Sequence, residues 1–268
     1  MRDSTLRGAG WLLFALATAA CTSSTTEPES GRTVRQALFD ELRPVPLTNC
    51  RLERFGSPND GGYLLCANLS DGVESAYSYG IGPRDDWGCD VSKRFGVAIH
   101  QYDCFDPGRP ACDGGRFDFH DECIAGSARV EKGERFDTLE NHIASNGDGG
   151  KRLLVKIDVE GAEWESLLAT PDAVFERIDQ MPMELHGVND ERFLEAVKKL
   201  KRTFYVANLH INNWVCAEGF EPFPAPVFQV LLVNKRIGIV DPAAPSTAPR
   251  SPLDAPDNPN GPDCQPPR

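Results

Sequence analysis

The run Leu153-Leu154-Val155-Lys156-Ile157-Asp158-Val159-Glu160-Gly161-Ala162-Glu163-Trp164 constrains the fold more than any other stretch. A nearly continuous apolar segment ends in a carboxylate, a glycine turn follows, and a helix opens behind it. Such a segment suits a parallel strand buried on both faces, because flanking helices leave it no solvent side. In open α/β sheets, ligands bind just outside the carboxyl ends of the strands, which places Asp158 to touch a ligand.

The neighbouring pattern alternates in the same way. Ser75 to Tyr79 reads as a strand ending in Gly80-Ile81-Gly82, and Asp85 or Asp86 can cap a helix that runs to Phe95 and stops at Gly96. Val97 to Phe105 is the next strand, ending in Asp106-Pro107. Phe117 to His120 and Ser127 to Val130 are brief strand candidates, and Thr138 to Ser145 is a helix. Beyond Asp158 come a helix over 162–169, a short helical stretch over 172–178 and a strand over 180–185 ending at His186-Gly187. The amphipathic helix Asp190 to Lys201 follows, then strands over 204–209 and 228–234, the last antiparallel at or near an edge. Upstream, Val34 to Leu42 reads as a helix. Cys50 to Cys66 reads as a hairpin about Asn59-Asp60-Gly61-Gly62, with a Cys50–Cys66 clip as one hypothesis. The whole is an α/β, Rossmann-like, doubly wound sheet, mostly parallel with an antiparallel strand near the C-terminus.

Flanking segments differ in kind. Arg2 and Arg7 precede the apolar run Trp11 to Ala20, and small residues Thr18-Ala19-Ala20 precede Cys21. That order reads as a signal peptide over 1–20 whose end resembles a bacterial lipobox, with Cys21 lipidated, although Thr18 stands where the pattern prefers Leu. Residues 21–33 form a polar tether, 34–241 the folded domain, and 242–268 a proline-rich tail expected to be disordered. Of nine cysteines, eight remain once Cys21 is set aside, which reads as disulfides in an exported chain with open connectivity. Cys264 either staples the tail to the body or is an incidental thiol. Lipidation would make the chain a membrane-anchored protein of the bacterial cell envelope. The net charge of −12 argues against nucleic acid as a partner.

Gly80 and Gly82 let the backbone approach a ligand closely, though Asp85 stands where the third glycine of GxGxxG would be. Asp106, placed after the second strand, is the acid that could accept ribose hydroxyls of an adenosine cofactor; Asp103 is the rival, read as lying inside the strand. Asp158 and Glu160 face the ligand crevice, whereas Glu163 reads as a helix N-terminal charge. His186 can be a general base for a hydroxyl or a hydrogen-bonded core histidine, and His210 is similarly placed. Asp158, Glu184 and His186 have the donor types of a metal site, but strand-end spacing does not establish one and no metal is assigned.

These residues also carry a resemblance. Ile157-Asp158-Val159-Glu160-Gly161-Ala162-Glu163 is similar to the IDVEGAE signature of FkbM-type and related methyltransferase-like proteins. Tyr79-Gly80-Ile81-Gly82, Phe105-Asp106-Pro107 and Met183-Glu184-Leu185-His186 follow that family's order. Arg54-Phe55-Gly56 with Asp60-Gly61-Gly62-Tyr63 and Cys66 resembles a secreted or membrane-tethered sub-branch. The resemblance, over 50–234, implies a class I methyltransferase fold binding S-adenosylmethionine. Gly80, Gly82 and Asp106 would hold the cofactor, Asp158 would sit between cofactor and acceptor, and the acceptor would be an oxygen of a small molecule or sugar. S-adenosylmethionine is made in the cytoplasm, whereas the chain reads as exported. Either an exported, non-catalytic module binds a ligand or glycan on this scaffold, or the export signal is misread, or cofactor is available outside.

Overall fold

The computed structural model describes residues 29–106, 108–244 and 253–264. The signal peptide, Cys21 and most of the tether lie outside the described residues. In chain order the elements are helix α1 (Glu29–Glu41), strands β1 (Leu52–Gly56), β2 (Gly62–Cys66) and β3 (Ser75–Tyr79), helix α2 (Asp86–Phe95), and strands β4 (Ala98–Tyr102) and β5 (Arg116–His120). Strands β6 (Cys123–Ile124), β7 (Arg129–Glu131) and β8 (Glu134–Asp137) precede helix α3 (Leu139–Ser145) and strand β9 (Leu153–Ile157). Helices α4 (Glu163–Ala169) and α5 (Asp172–Phe175), strand β10 (Ile178–His186), helix α6 (Glu191–Thr203), and strands β11 (Phe204–Ile211) and β12 (Val227–Asn234) complete it.

A seven-stranded sheet in the order β11-β12-β10-β9-β3-β4-β5 organises the molecule. The pairs β3–β4, β4–β5, β3–β9 and β9–β10 are parallel, and β12 runs antiparallel between β10 and β11. This is a Rossmann-like α/β sheet of the class I methyltransferase type, with the antiparallel strand one place in from the edge. The chain reverses direction of travel between β3 and β9, so the crevice at a topological switch point opens over the ends of those two strands.

Alternation in β9 feeds two cores. Leu153, Val155 and Ile157 join the larger one with Tyr77, Trp164, Phe175, Leu185 and Leu200, under the helices. Leu154 points the other way, into a core with Phe55, Tyr63, Leu65, Trp87 and Val91. The β1–β2 hairpin and α2 therefore cover the second face. Asp85 caps α2 by accepting from the Gly88 amide at 2.7 Å, and Gly96 ends it in the left-handed conformation at φ 69°. Thr138 caps α3 and Asp190 caps α6 in the same manner.

Three expectations change. The second strand stops at Tyr102, so Asp103 follows it instead of lying within it. The region after β5 makes a small sheet, β6-β8-β7, of which only Ser127 to Val130 carried a strand signal; the segments are too short to show a period. Finally, residues 253–264 of the tail are not disordered. Asp257 is buried, receives the Gln229 amide at 3.0 Å and lies 3.0 Å from His210 Nε2, while Asn59 and Asn213 donate to the carbonyls of Pro256 and Asn258. Composition missed this because the segment is held by polar side chains and a disulfide, not by apolar burial.

The eight cysteines pair as Cys50–Cys66, Cys89–Cys112, Cys104–Cys123 and Cys216–Cys264, with Cα separations of 4.9, 5.6, 5.1 and 5.3 Å. Each lies within the span a disulfide bridges. Such pairing is compatible with export to an oxidising compartment. Among the described residues no helix is long and apolar enough to cross a membrane.

Candidate active site

The site forms where β3, β4 and β9 end side by side. Gly80 has φ 69°, and its amide donates to the Tyr102 carbonyl at 3.0 Å. A Cβ at Gly80 would fall on the carbonyl oxygen of Asp158, so the turn after β3 and the end of β9 touch through backbone alone. Gly82, at φ 54°, faces open space instead. Asp103 ties this loop to the next: one carboxylate oxygen accepts from the Ile81 and Gly82 amides at 3.1 Å each, the other from the Phe105 and Asp106 amides at 3.0 Å. Asp103 is thus the organiser of both loops; it lines the cavity alongside Asp106, but both of its oxygens are engaged by backbone amides. One Asp106 oxygen accepts from the Gly108 amide at 2.8 Å.

The cavity holds about 550 Å³ and is lined by Tyr79, Gly80, Gly82, Asp106, Asp158 and Glu160, among others. That volume lies in the range of small-molecule sites. A second hollow of about 370 Å³ lies on the hairpin side of the glycine loop, with Asp60, Gly82, Lys156 and Asp158 in its wall. Asp158 borders both. The structure therefore brings Gly80, Gly82, Asp106 and Asp158 together.

Around Asp158 two further side chains matter that sequence reasoning passed over. Tyr63, from β2, donates its hydroxyl to Asp158 Oδ2 at 2.7 Å. Lys156 is buried, with Nζ 3.5 Å from the same oxygen and 5.3 Å from the Tyr63 ring centre. Its ammonium donates to the Tyr79 and Gly80 carbonyls at 3.2 and 2.7 Å, so it braces the glycine loop from below. Burial pushes the Tyr63 hydroxyl well above its ordinary value and the Asp158 charge adds to this, so it remains a donor. A lysine inside an otherwise apolar strand was the available signal, because an amine is buried only with partners.

His186 lies apart from the cavity. It lines a neighbouring depression with Trp164, Arg192 and Phe193. Its Nδ1 is 3.2 Å from Glu163 Oε1, and its Nε2 is 3.4 Å from Glu160 and 3.6 Å from Glu184. Burial opposes the imidazolium, but Glu163, then Glu184 and Asp158, outweigh it and raise its pKa above the ordinary histidine value. Glu163 is the helix N-terminal charge expected, in the first turn of α4, but it is fully buried and accepts from the amides of Gly161 at 2.8 Å and His186 at 2.6 Å. Glu184 is raised too, by burial first and then by Asp158. Glu160, at φ 54°, holds a left-handed backbone uncommon for a non-glycine residue, and such strain clusters at functional sites. His210 is a buried partner of Asp257, outside this site.

Among solved structures, the chain is similar to an rRNA methylase from Streptococcus thermophilus, with 12% identity over 63% of this chain and 90% of that one and a TM-score of 0.37. Protein families and curated protein sequences give no match to this chain.

Proposed function

We propose that this chain is an S-adenosylmethionine-dependent methyltransferase acting on a hydroxyl of a small molecule or sugar. The observation that carries the reading is the shared wall: the glycine loop, Asp106 and Asp158 converge on one cavity of about 550 Å³ at the strand ends. The residues fit the cofactor on that geometry, because a close-approach glycine loop, a strand-end acid and a cavity of sufficient volume coincide. Gly80 and Gly82 would meet it through backbone, and Asp106 would accept its ribose hydroxyls. When bound, S-adenosylmethionine supplies an electrophilic methyl group. Asp158 would take the proton of the acceptor hydroxyl from its place between the two hollows, with Tyr63 and Lys156 fixing its orientation. His186, read in sequence as a base, serves better as a positioning residue, because it holds Glu160 at the cavity and is kept cationic by Glu163.

Calorimetry with S-adenosylmethionine or its demethylated product, on the oxidised full chain, tests the reading. One equivalent should bind, and Asp106→Ala should weaken it at least tenfold. A folded wild type that binds neither compound overturns it. The proposed anchor has its own test: labelled fatty acid should enter the wild type and not Cys21→Ser, and equal labelling rejects lipidation.

A further inference from the structure

The edge of the sheet carries a second constellation, independent of the cofactor cavity. Parallel register places His100 of β4 opposite Asp118 of β5, and His120 follows two residues on, so all three side chains share one face. His100 Nδ1 lies 3.3 Å from His120 Nε2 and 3.5 Å from Asp118 Oδ2, and His120 Nε2 lies 3.5 Å from the same Asp118 oxygen. Three donor atoms thus form a nearly equilateral triangle. One hydrogen bond satisfies one edge of such a triangle, whereas a cation above its centre satisfies all three.

The surroundings prepare the triangle. The other nitrogen of His100, Nε2, sits 3.3 Å from Asp148 Oδ2, and Asp148 is fully buried and receives the Tyr77 hydroxyl at 2.9 Å. The Asp148 charge at that distance favours the proton on Nε2, which leaves the Nδ1 lone pair facing His120 and Asp118. A carboxylate behind the far nitrogen is the arrangement that orients metal-binding imidazoles. His120 is stacked on Tyr102 with ring centres 4.4 Å apart, which fixes its plane.

We propose that His100, Asp118 and His120 form a zinc(II) site. Ligand spacing selects the ion: tetrahedral bonds of ~2.0–2.1 Å to nitrogen and oxygen separate the ligand atoms by about 3.3–3.4 Å, against about 3.0 Å for cis positions of an octahedron. Three protein ligands leave the fourth position to water, on the side where Asp118 is 62% exposed. The ion ties the edge strand β5 to β4.

The test uses the full chain, free of any histidine tag and stripped with a chelator. Zinc chloride titrated against a chromogenic chelator should load one equivalent, and cobalt(II) in its place should give the intense visible bands of a tetrahedral ion. Asp118→Asn, at an exposed side chain that leaves the core intact, and His120→Ala should each weaken zinc at least tenfold. Asp148→Asn should weaken it about 10- to 100-fold through the relay. The proposal is overturned if the folded wild type takes up no stoichiometric zinc, or if Asp118→Asn and His120→Ala bind as well as the wild type. Loss of uptake in Glu160→Gln with Asp118→Asn unaffected would place the ion at Asp158, Glu160 and His186, and would equally overturn it.

Discussion

The hydroxyl of Tyr63 donates to the carboxylate of Asp158 across 95 residues of chain, at 2.7 Å. The bond makes the β1–β2 hairpin part of the site as well as a cover for the sheet. It fixes the strand-end acid from the hairpin, while the glycine loop meets the same residue through its backbone carbonyl.

Tyr63→Phe removes that donor while keeping the ring and its packing. Hydrogen bonds to charged groups contribute about 1.5–3 kcal/mol, so denaturant unfolding should show a loss in that range. Combined with Asp158→Asn, the losses should be less than additive. Strict additivity in the double-mutant cycle would mean the two residues are not coupled.

The scaffold was legible in the sequence because its signals are local. Ser75 to Tyr79 followed by Gly80-Ile81-Gly82, and the apolar run ending at Asp158, are each one strand with its turn, and period and glycine chemistry identify both. What escaped was non-local. Nothing near Tyr63 announces Asp158, and nothing near Glu163 announces the His186 amide it accepts from, 23 positions on. Asp103 and Asp106 read as rivals on a strand taken three residues too long; with the strand ending at Tyr102, both follow it. The tail escaped because Asp257 needs Gln229 and His210 from distant strands before its segment has any reason to be ordered.

The two loop glycines separate fold from binding. Gly80→Ala meets both a left-handed backbone and the Asp158 carbonyl, so it should destabilise the chain by well over the ~1–2 kcal/mol that the conformation alone costs. Gly82→Ala has open space around its Cβ and should cost only the ~1–2 kcal/mol of the left-handed conformation in melting experiments, yet weaken cofactor binding, because the new methyl borders the cavity. Equal stability losses at the two positions would contradict this assignment.

Cys216–Cys264 closes the tail on the body over a separation of 48 residues. Loop-closure entropy for a link of that span is about 3–4 kcal/mol, so Cys216→Ser with Cys264→Ser should lower unfolding free energy by roughly that amount. Asp257→Ala should add a further loss in the oxidised chain, because His210 and Gln229 would keep buried polar groups without that partner. A tail that can be cut after residue 244 with no change in melting temperature would mean that its contacts contribute nothing.

Stability should pass through a maximum in pH, with different residues setting its two sides. Burial lowers His142 from 6.5 to about 4, so the unfolded chain takes up a proton that the folded chain refuses. The unfolded state then binds more protons at this site, and the His142 contribution to stability falls as pH drops from 6.5 toward 4, by roughly 3 kcal/mol in all. His186 and Glu184 act in the opposite sense, because both pKa values are raised in the folded state. The His186 contribution is complete below its ordinary value and is lost as pH rises through the elevated one. Glu184 holds in the folded chain a proton that the unfolded chain gives up above 4.5, so it too makes stability fall with rising pH. Between pH 4.5 and 6.5 the His142 and Glu184 contributions oppose each other, so denaturant unfolding of the wild type should show a plateau there and a fall toward alkaline pH. Glu184→Gln should uncover the His142 limb below pH 6.5 and make the alkaline fall shallower, and an unchanged profile in that variant would sink the assignment.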